Sequence, residues 1–132
     1  MFILKKYNIV CLFIISFKLL GCSNDGIKQQ HIENKLSATK KEMIGKWLTE
    51  VKEVKGLKLG FELMNNDSMH SINMATLVYD HWRIDSNYLY LHGLSIGNGT
   101  SFYFTDTFNY ILNNNNELIL EQDVAKWIYV KE

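Results

Sequence analysis

Hydrophobic and polar residues alternate in short runs along the chain from Trp47 onward, and clusters of turn-forming residues separate these runs. In residues 57–64 the apolar side chains fall at nearly every second position, and in residues 88–93 tyrosine and histidine alternate with leucine and glycine. A period of two is typical of a strand that buries one face. Turn chemistry is dense at residues 65–68 and at 97–99, where Asn, Asp and Gly tolerate the left-handed backbone of a hairpin. The pattern therefore predicts a series of β-hairpins.

About eight strands follow one another at a spacing of roughly 11 residues, with no helical repeat between consecutive ones. The predicted strands cover residues 47–54, 57–64, 69–78, 79–84, 88–95, 101–112, 117–122 and 126–131. Short connections favour an antiparallel up-and-down order, and closure of the sheet removes its exposed edges. We therefore expect an all-β domain, a small eight-stranded antiparallel barrel over residues 42–132. Gly60 lies inside the second strand and predicts a bulge or a sharp bend there.

Residues 1–21 have the layout of a secretory signal, with a basic start at Lys5 and Lys6 and an apolar run too short to span a membrane. The run ends in Leu-Leu-Gly-Cys, which resembles the bacterial lipobox. That resemblance implies cleavage before Cys22 and acylation of its sulfur. Two or more acyl chains give stable membrane attachment. A disulfide between Cys11 and Cys22 is the weaker alternative, because Cys11 lies inside the apolar run.

The segment that follows the signal, residues 22–41, is polar and shows no regular apolar period. We interpret it as the lipidated cysteine and a flexible tether. Thr39 and Glu42 fit a capping box, which predicts one helical turn over residues 40–44. By resemblance to Gram-negative lipoproteins, Ser23 after the cysteine favours the outer membrane. The expected location is therefore the cell envelope, lipid-anchored, at the outer membrane of a Gram-negative bacterium.

Net charge argues mildly against a nucleic-acid partner. The whole chain is formally neutral, but loss of Lys5, Lys6 and Lys18 with the signal leaves 11 basic against 14 acidic residues, a net charge of −3. Binding to phosphates needs a basic face, and none is evident. We expect the membrane, through Cys22, and a small hydrophobic ligand as partners, and no nucleic acid and no cofactor.

Gly45-Lys46-Trp47 resembles the G-x-W signature of lipocalins, and the long stretch of residues 60–99 is similar to a family of bacterial lipocalin-like lipoproteins. The resemblance covers about residues 42–132. It implies an eight-stranded calycin-type barrel with a pocket for a small apolar ligand, and Gly45 and Trp47 as its structural signature. Lipocalins usually pack a C-terminal arginine over that tryptophan. Here the last strand offers Lys126 and Lys131 instead.

Aromatic residues on the predicted strands are the candidate ligand contacts, because aromatic side chains line many ligand cavities. The candidates are Phe61, Trp82, Tyr90, Phe102 and Phe104. For each of them, simple burial in the core is the more common alternative. Trp47 is expected to pack at the closed end of the barrel.

Histidines and serines give little support for a metal site or for catalysis. His70, His81 and His92 lie on different predicted strands without a metal-binding spacing. The pair Asp80-His81 could serve Ser71 or Ser95, but the chain has no G-x-S-x-G elbow to expose a nucleophile. We therefore predict a protein that is not an enzyme and has no catalytic or metal-binding residues.

Two functions remain open. The first is a membrane-anchored lipoprotein whose barrel binds a small hydrophobic ligand in the cell envelope. The alternative is a structural or interaction module with a filled barrel that binds protein or glycan through its loops. It predicts an exposed aromatic patch near the rim, at Tyr79, Tyr88 or Tyr103.

Overall fold

The computed structural model describes residues 24–114 and 116–132 as one helix followed by eight strands. The predicted signal peptide and Cys22 lie outside the described residues. The elements are α1 (Asn24–Met43), β1 (Gly45–Glu50), β2 (Lys58–Leu63), β3 (Met69–Ile72), β4 (Leu77–Ile84), β5 (Tyr88–Gly97), β6 (Thr100–Asn113), β7 (Glu117–Gln122) and β8 (Ala125–Lys131). Within the described ranges, no helix is long and apolar enough to cross a bilayer.

The strands form one antiparallel sheet in the order β3-β2-β1-β8-β7-β6-β5-β4, which is an up-and-down barrel. β8 returns to β1 through the pairs Trp47–Lys131 and Leu48–Val130. The predicted fold class is therefore confirmed. The Gly97–Thr100 pair closes β5 and β6 around a two-residue turn in which Asn98 and Gly99 both have positive φ, as the sequence predicts for this hairpin.

The barrel has one seam, between β3 and β4. An isolated bridge joins Ser68 to His81, and the backbone N–H of Trp82 donates to the Asp67 carbonyl at 2.9 Å. Farther along, the Ser71 hydroxyl donates to the Leu77 carbonyl at 2.6 Å and accepts from the Tyr79 N–H at 2.8 Å. One side chain thus supplies the hydrogen bonds that a continuous strand pair would otherwise supply.

The seam also corrects the predicted boundary between the third and fourth strands. β3 ends at Ile72 rather than at Val78, and β4 already begins at Leu77. Asn73 takes a left-handed φ of 57° and donates through its side chain to the Lys58 carbonyl at 2.8 Å. Asparagine tolerates that conformation and its side chain holds the turn in place.

Gly60 shows neither a bulge nor a break in pairing, so the predicted bulge is wrong. It pairs in register with Leu48 on one side and with Ile72 on the other. A Cβ at this position would lie 1.9 Å from the Trp47 carbonyl oxygen. Glycine is required because β1 and β2 approach so closely at that point. The bulge that does occur lies in β4, between Tyr79 and His81.

The helix α1 is a second correction, since we expected residues 22–41 to form a flexible tether. From residue 24 onward the segment is helical, and Thr39 lies inside the helix, where its hydroxyl donates to the Lys35 carbonyl at 3.1 Å. The capping box is therefore wrong. Residues 26–35 are exposed, and Met43, the last residue of the helix, is fully buried against the barrel.

A hydrophobic core fills the barrel. Its members are Met43, Trp47, Phe61, Leu63, Met69, Tyr79, Trp82, Leu89, Leu91, Phe108, Leu118 and Leu120. The lower end is defined here as the end that α1 joins, with the connections at residues 64–68, 85–87 and 114–116. The upper end carries the connections at residues 51–57, 73–76, 98–99 and 123–124.

Candidate functional site

The lower end of the barrel is closed around the predicted signature residues. Trp47 is fully buried, and its indole N–H donates to the Met43 carbonyl at 2.7 Å. The Lys131 ammonium lies 5.2 Å from the centre of the Trp47 ring and donates to the Glu42 carbonyl at 2.6 Å. Lys131 thus takes the place over the tryptophan that lipocalins usually give to arginine. Gly45, with φ of 132°, has no Cβ to meet the Lys131 side chain, which passes within 2.8 Å of that position.

Two predicted ligand contacts lie inside the barrel but are covered by other core residues. Phe61 and Trp82 are each 1% exposed. The Trp82 indole donates to the Met64 carbonyl at 2.9 Å, and the Lys40 ammonium of α1 lies 5.5 Å from its ring centre. Both side chains therefore belong to the core in this structure.

Tyr90 does not line the interior, so its predicted position is wrong. It alternates with Leu89 and Leu91, which are the inward-facing residues of β5. The Arg83 guanidinium stacks 3.5 Å from the centre of the Tyr90 ring, and the tyrosine hydroxyl donates to Asp85 at 2.9 Å. These polar partners on the outer wall explain why this face of the strand points outward.

Phe102 and Phe104 share the inward phase of β6 but differ in their surroundings. Phe102 is 62% exposed, because the β5–β6 hairpin extends beyond the part of β6 that pairs with β7. Phe102 is therefore not part of the buried core, and its role as a ligand contact stays a prediction. Phe104 is partly buried at the upper end, and its ring lies 5.5 Å from the ring of Tyr79.

A carboxylate lies among these inward-facing rings. Asp106 follows Phe104 in the inward phase of β6 and is paired across the sheet with the buried Leu91. The Tyr79 hydroxyl donates to Asp106 Oδ2 at 2.7 Å. Burial, and then this hydrogen bond to Asp106, raise the pKa of Tyr79 well above its usual value.

Tyr129 completes the group from the other side of the barrel. Its ring lies 5.0 Å from the ring of Phe61, at the point where β8 meets β1. Burial, together with the nearby negative charge of Asp106, raises the pKa of Tyr129 to about 12. We call Phe104, Asp106, Tyr79 and Tyr129 the upper cluster. It combines apolar ring surface with one carboxylate and two phenols.

The best-defined hollows of the described chain lie at the surface. One, of about 530 Å³, is open and is lined by residues of β4, β5 and β6, namely Asp80, His81, His92, Gly93, Tyr103, Phe104 and Thr105. The other, of about 240 Å³, lies at the lower end beside Trp47 and Lys131. Neither is the deep interior pocket that the family resemblance implies, because large core side chains occupy that space.

The histidines His70, His81 and His92 lie on β3, β4 and β5. His81 and His92 are direct neighbours across β4 and β5, and His92 Nδ1 lies 2.8 Å from the Thr105 hydroxyl. His70 lies on β3, opposite Glu62. Within residues 24–114 and 116–132, no three His, Cys, Asp or Glu side chains form a group that could hold a metal ion.

Comparison with known proteins agrees with this geometry. A family model described as lipocalin-like matches residues 39–132, which is most of the chain. The chain belongs to the lipocalin-like family. A solved lipocalin-like protein from Bacteroides thetaiotaomicron is similar to it, with a TM-score of 0.63 and 32% identity over 68% of this chain and 96% of that one. A search among curated proteins finds no significant match.

Membership of the lipocalin-like family makes this a domain of a ligand-binding type, and the family is generally non-enzymatic. The upper cluster was missed at the level of sequence. Asp106 shares its alternation with Phe102, Phe104 and Phe108, and a carboxylate in an otherwise apolar phase is the signal that could have found it.

Proposed function

We propose that this lipocalin-like protein is a non-enzymatic, membrane-anchored lipoprotein that binds a small hydrophobic ligand in the cell envelope. The anchor would be the acylated Cys22, and the expected location is the outer membrane. The observation that carries the binding function is the contrast between the two ends of the barrel. The lower end is sealed by Trp47 and Met43, whereas inward-facing groups of the upper cluster remain partly exposed.

The filled core supports a ligand position near the rim. Phe61 and Trp82 are each 1% exposed, so we propose that the ligand covers the partly buried rings of Phe104 and Tyr129 instead. Covering one large apolar side chain contributes about 1.5–3 kcal/mol. Contact with two aromatic rings therefore contributes about 3–6 kcal/mol, which corresponds to a Kd between about 6 mM and about 40 μM for a small apolar molecule.

Fluorescence titration with the neutral apolar dye N-phenyl-1-naphthylamine tests this proposal on the chain from Ser23 onward. We expect saturable binding that Phe104→Ala weakens by about tenfold, since the substitution removes one ring contact. Phe102→Ala is the matched control, because Phe102 is 62% exposed outside the barrel. Absence of saturable binding, or equal loss in both variants, would contradict binding at the upper end. Phe104→Leu serves if the alanine variant unfolds.

The outer wall supports a second proposal, an interaction module that binds an envelope glycan. Tyr103 is 81% exposed and borders the open hollow with Asp80 and His81, a combination of a ring and polar groups that suits a sugar. Of the tyrosines predicted to be exposed at the rim, Tyr103 and Tyr88 are exposed, whereas Tyr79 is 7% exposed and was wrongly included. Retention on isolated envelope glycan that Tyr103→Ser abolishes and Tyr88→Ser leaves intact would favour this function.

A further inference from the structure

We propose that Asp106 makes the upper cluster selective for apolar ligands that carry a protonated amine. This inference rests on the proposed function and names the class of ligand. Asp106 interrupts an inward row of phenylalanines on β6, with Phe104 before it and Phe108 after it. A carboxylate in such a position costs free energy unless partners compensate its charge.

The described residues compensate that charge incompletely. The Tyr79 hydroxyl supplies one hydrogen bond to Oδ2. An ionised carboxylate can accept about four hydrogen bonds. Within residues 24–114 and 116–132, no lysine, arginine or histidine forms an ion pair with Asp106. Asp106 is partly exposed, so its carboxylate remains accessible to a ligand.

An alkylammonium group matches these acceptors. It carries three N–H donors and a positive charge, whereas an alcohol carries one donor and no charge. The nearby rings of Phe104 and Tyr129 would cover the alkyl chain, and aromatic faces also attract cations. A fatty acid would bring a second carboxylate to Asp106, and like charges at short range oppose binding.

The alternative is that Asp106 is a hydrated structural group that orients Tyr79 and takes no part in ligand choice. Calorimetric titration at neutral pH with three probes of equal chain length, decylamine, 1-decanol and decanoate, separates the two. If Asp106 selects amines, decylamine binds at least about tenfold more tightly than 1-decanol, as expected for a hydrogen bond to a charged group. Decanoate should bind most weakly.

The substitution Asp106→Asn provides the second arm of the experiment. It should remove the advantage of decylamine over 1-decanol and leave the affinity for 1-decanol nearly unchanged. Asp123→Asn is the matched control, since Asp123 is an exposed aspartate of the upper-end turn whose φ of 53° suits asparagine. This variant loses the same charge and should keep the preference for the amine.

Each outcome decides between the two proposals. Equal affinity of the wild-type chain for decylamine and 1-decanol would overturn the selectivity and leave the binding function standing. No binding of any of the three probes would overturn both. The comparison of probes on the wild-type chain needs no variant, so it remains decisive if Asp106→Asn fails to fold. An equal loss of preference in Asp123→Asn would assign the effect to net charge and overturn the role of Asp106.

Discussion

At the residue scale, the barrel closes through the hydroxyl of Ser71, which bonds both Leu77 and Tyr79 across the β3–β4 seam. Tyr79 in turn donates to Asp106, so the seam and the upper cluster share one residue. A substitution at the seam is therefore expected to disturb the candidate ligand site as well, because Tyr79 belongs to both.

Ser71→Ala should lower the free energy of unfolding by about 1–3 kcal/mol, because it leaves the partly buried Tyr79 N–H and Leu77 carbonyl without their partner. Urea unfolding monitored by tryptophan fluorescence measures this change. Ser71→Thr retains the hydroxyl and should lose less. Ser101→Ala on β6, where the side chain is exposed, should change stability by less than about 0.5 kcal/mol. Equal effects of the Ser71 and Ser101 substitutions would contradict the role of the hydroxyl.

The raised pKa of Tyr129 predicts that the folded chain loses stability at high pH. Its pKa is raised from 10.0 to about 12 in the folded chain by burial and by the charge of Asp106. The stability from this raised pKa is complete below pH 10 and is lost as pH rises towards 12. The loss is at most about 3 kcal/mol, at about 1.4 kcal/mol for each unit. Tyr129→Phe should reduce the loss when urea unfolding is measured across this range. Tyr103→Phe, which changes an 81% exposed ring, should not.

At the scale of elements, α1 and the strands owe their structure to different causes. The strands follow from alternation and turn residues, and seven of the eight, all except β8, contain at least one buried apolar side chain. The helix has no apolar stripe and is exposed over residues 26–35, so packing contributes little there. Its contact with the barrel is concentrated at Met43 and at Lys40, which forms an ion pair with Asp67.

Deletion of residues 24–35 should therefore change the free energy of unfolding by less than about 1 kcal/mol, because surface residues contribute little. Met43→Ala should lower it by about 2–5 kcal/mol, since it leaves a cavity where a fully buried side chain was and weakens the support of Trp47. Met43→Leu conserves volume and should cost less than about 1.5 kcal/mol. Thermal and urea unfolding of the three proteins compare these values. A large loss on deletion would show that the exposed part of α1 does stabilise the barrel.

The difference between the elements also explains what the sequence could predict. Alternation located all eight strands, since a strand with one buried face has apolar residues at about every second position. It did not reveal α1, because a helix that is polar all round has no period to detect. On β5 both phases are apolar, and only the partners Arg83 and Asp85 decide that Tyr90 lies outside. Phe102 lies in the inward phase of β6, but its exposure depends on how far β7 extends along β6.

At the scale of the whole molecule, the described domain is a barrel whose lower end is closed by Trp47 and Met43 and whose upper end carries a carboxylate, Asp106, beside Tyr79 and Phe104. A short barrel of eight strands can be filled by side chains alone. The large residues Trp47, Phe61 and Trp82 account for that filling here. Ligand binding by this fold would therefore depend on the rim, and the position of the rim relative to a membrane would decide what reaches it.

Cys22 is expected to fix that position, and the two cysteines of the chain allow a matched test. Cys22→Ala should prevent acylation, so the protein should no longer incorporate labelled palmitate and should leave the membrane fraction, because the acyl chains provide the attachment. Cys11→Ala is the control within the same signal segment and should leave labelling and fractionation unchanged. Retention of the Cys22→Ala protein in the membrane fraction without label would contradict the lipid anchor. Equal loss in both variants would point to a failure of export instead, because either change would then have disabled the signal.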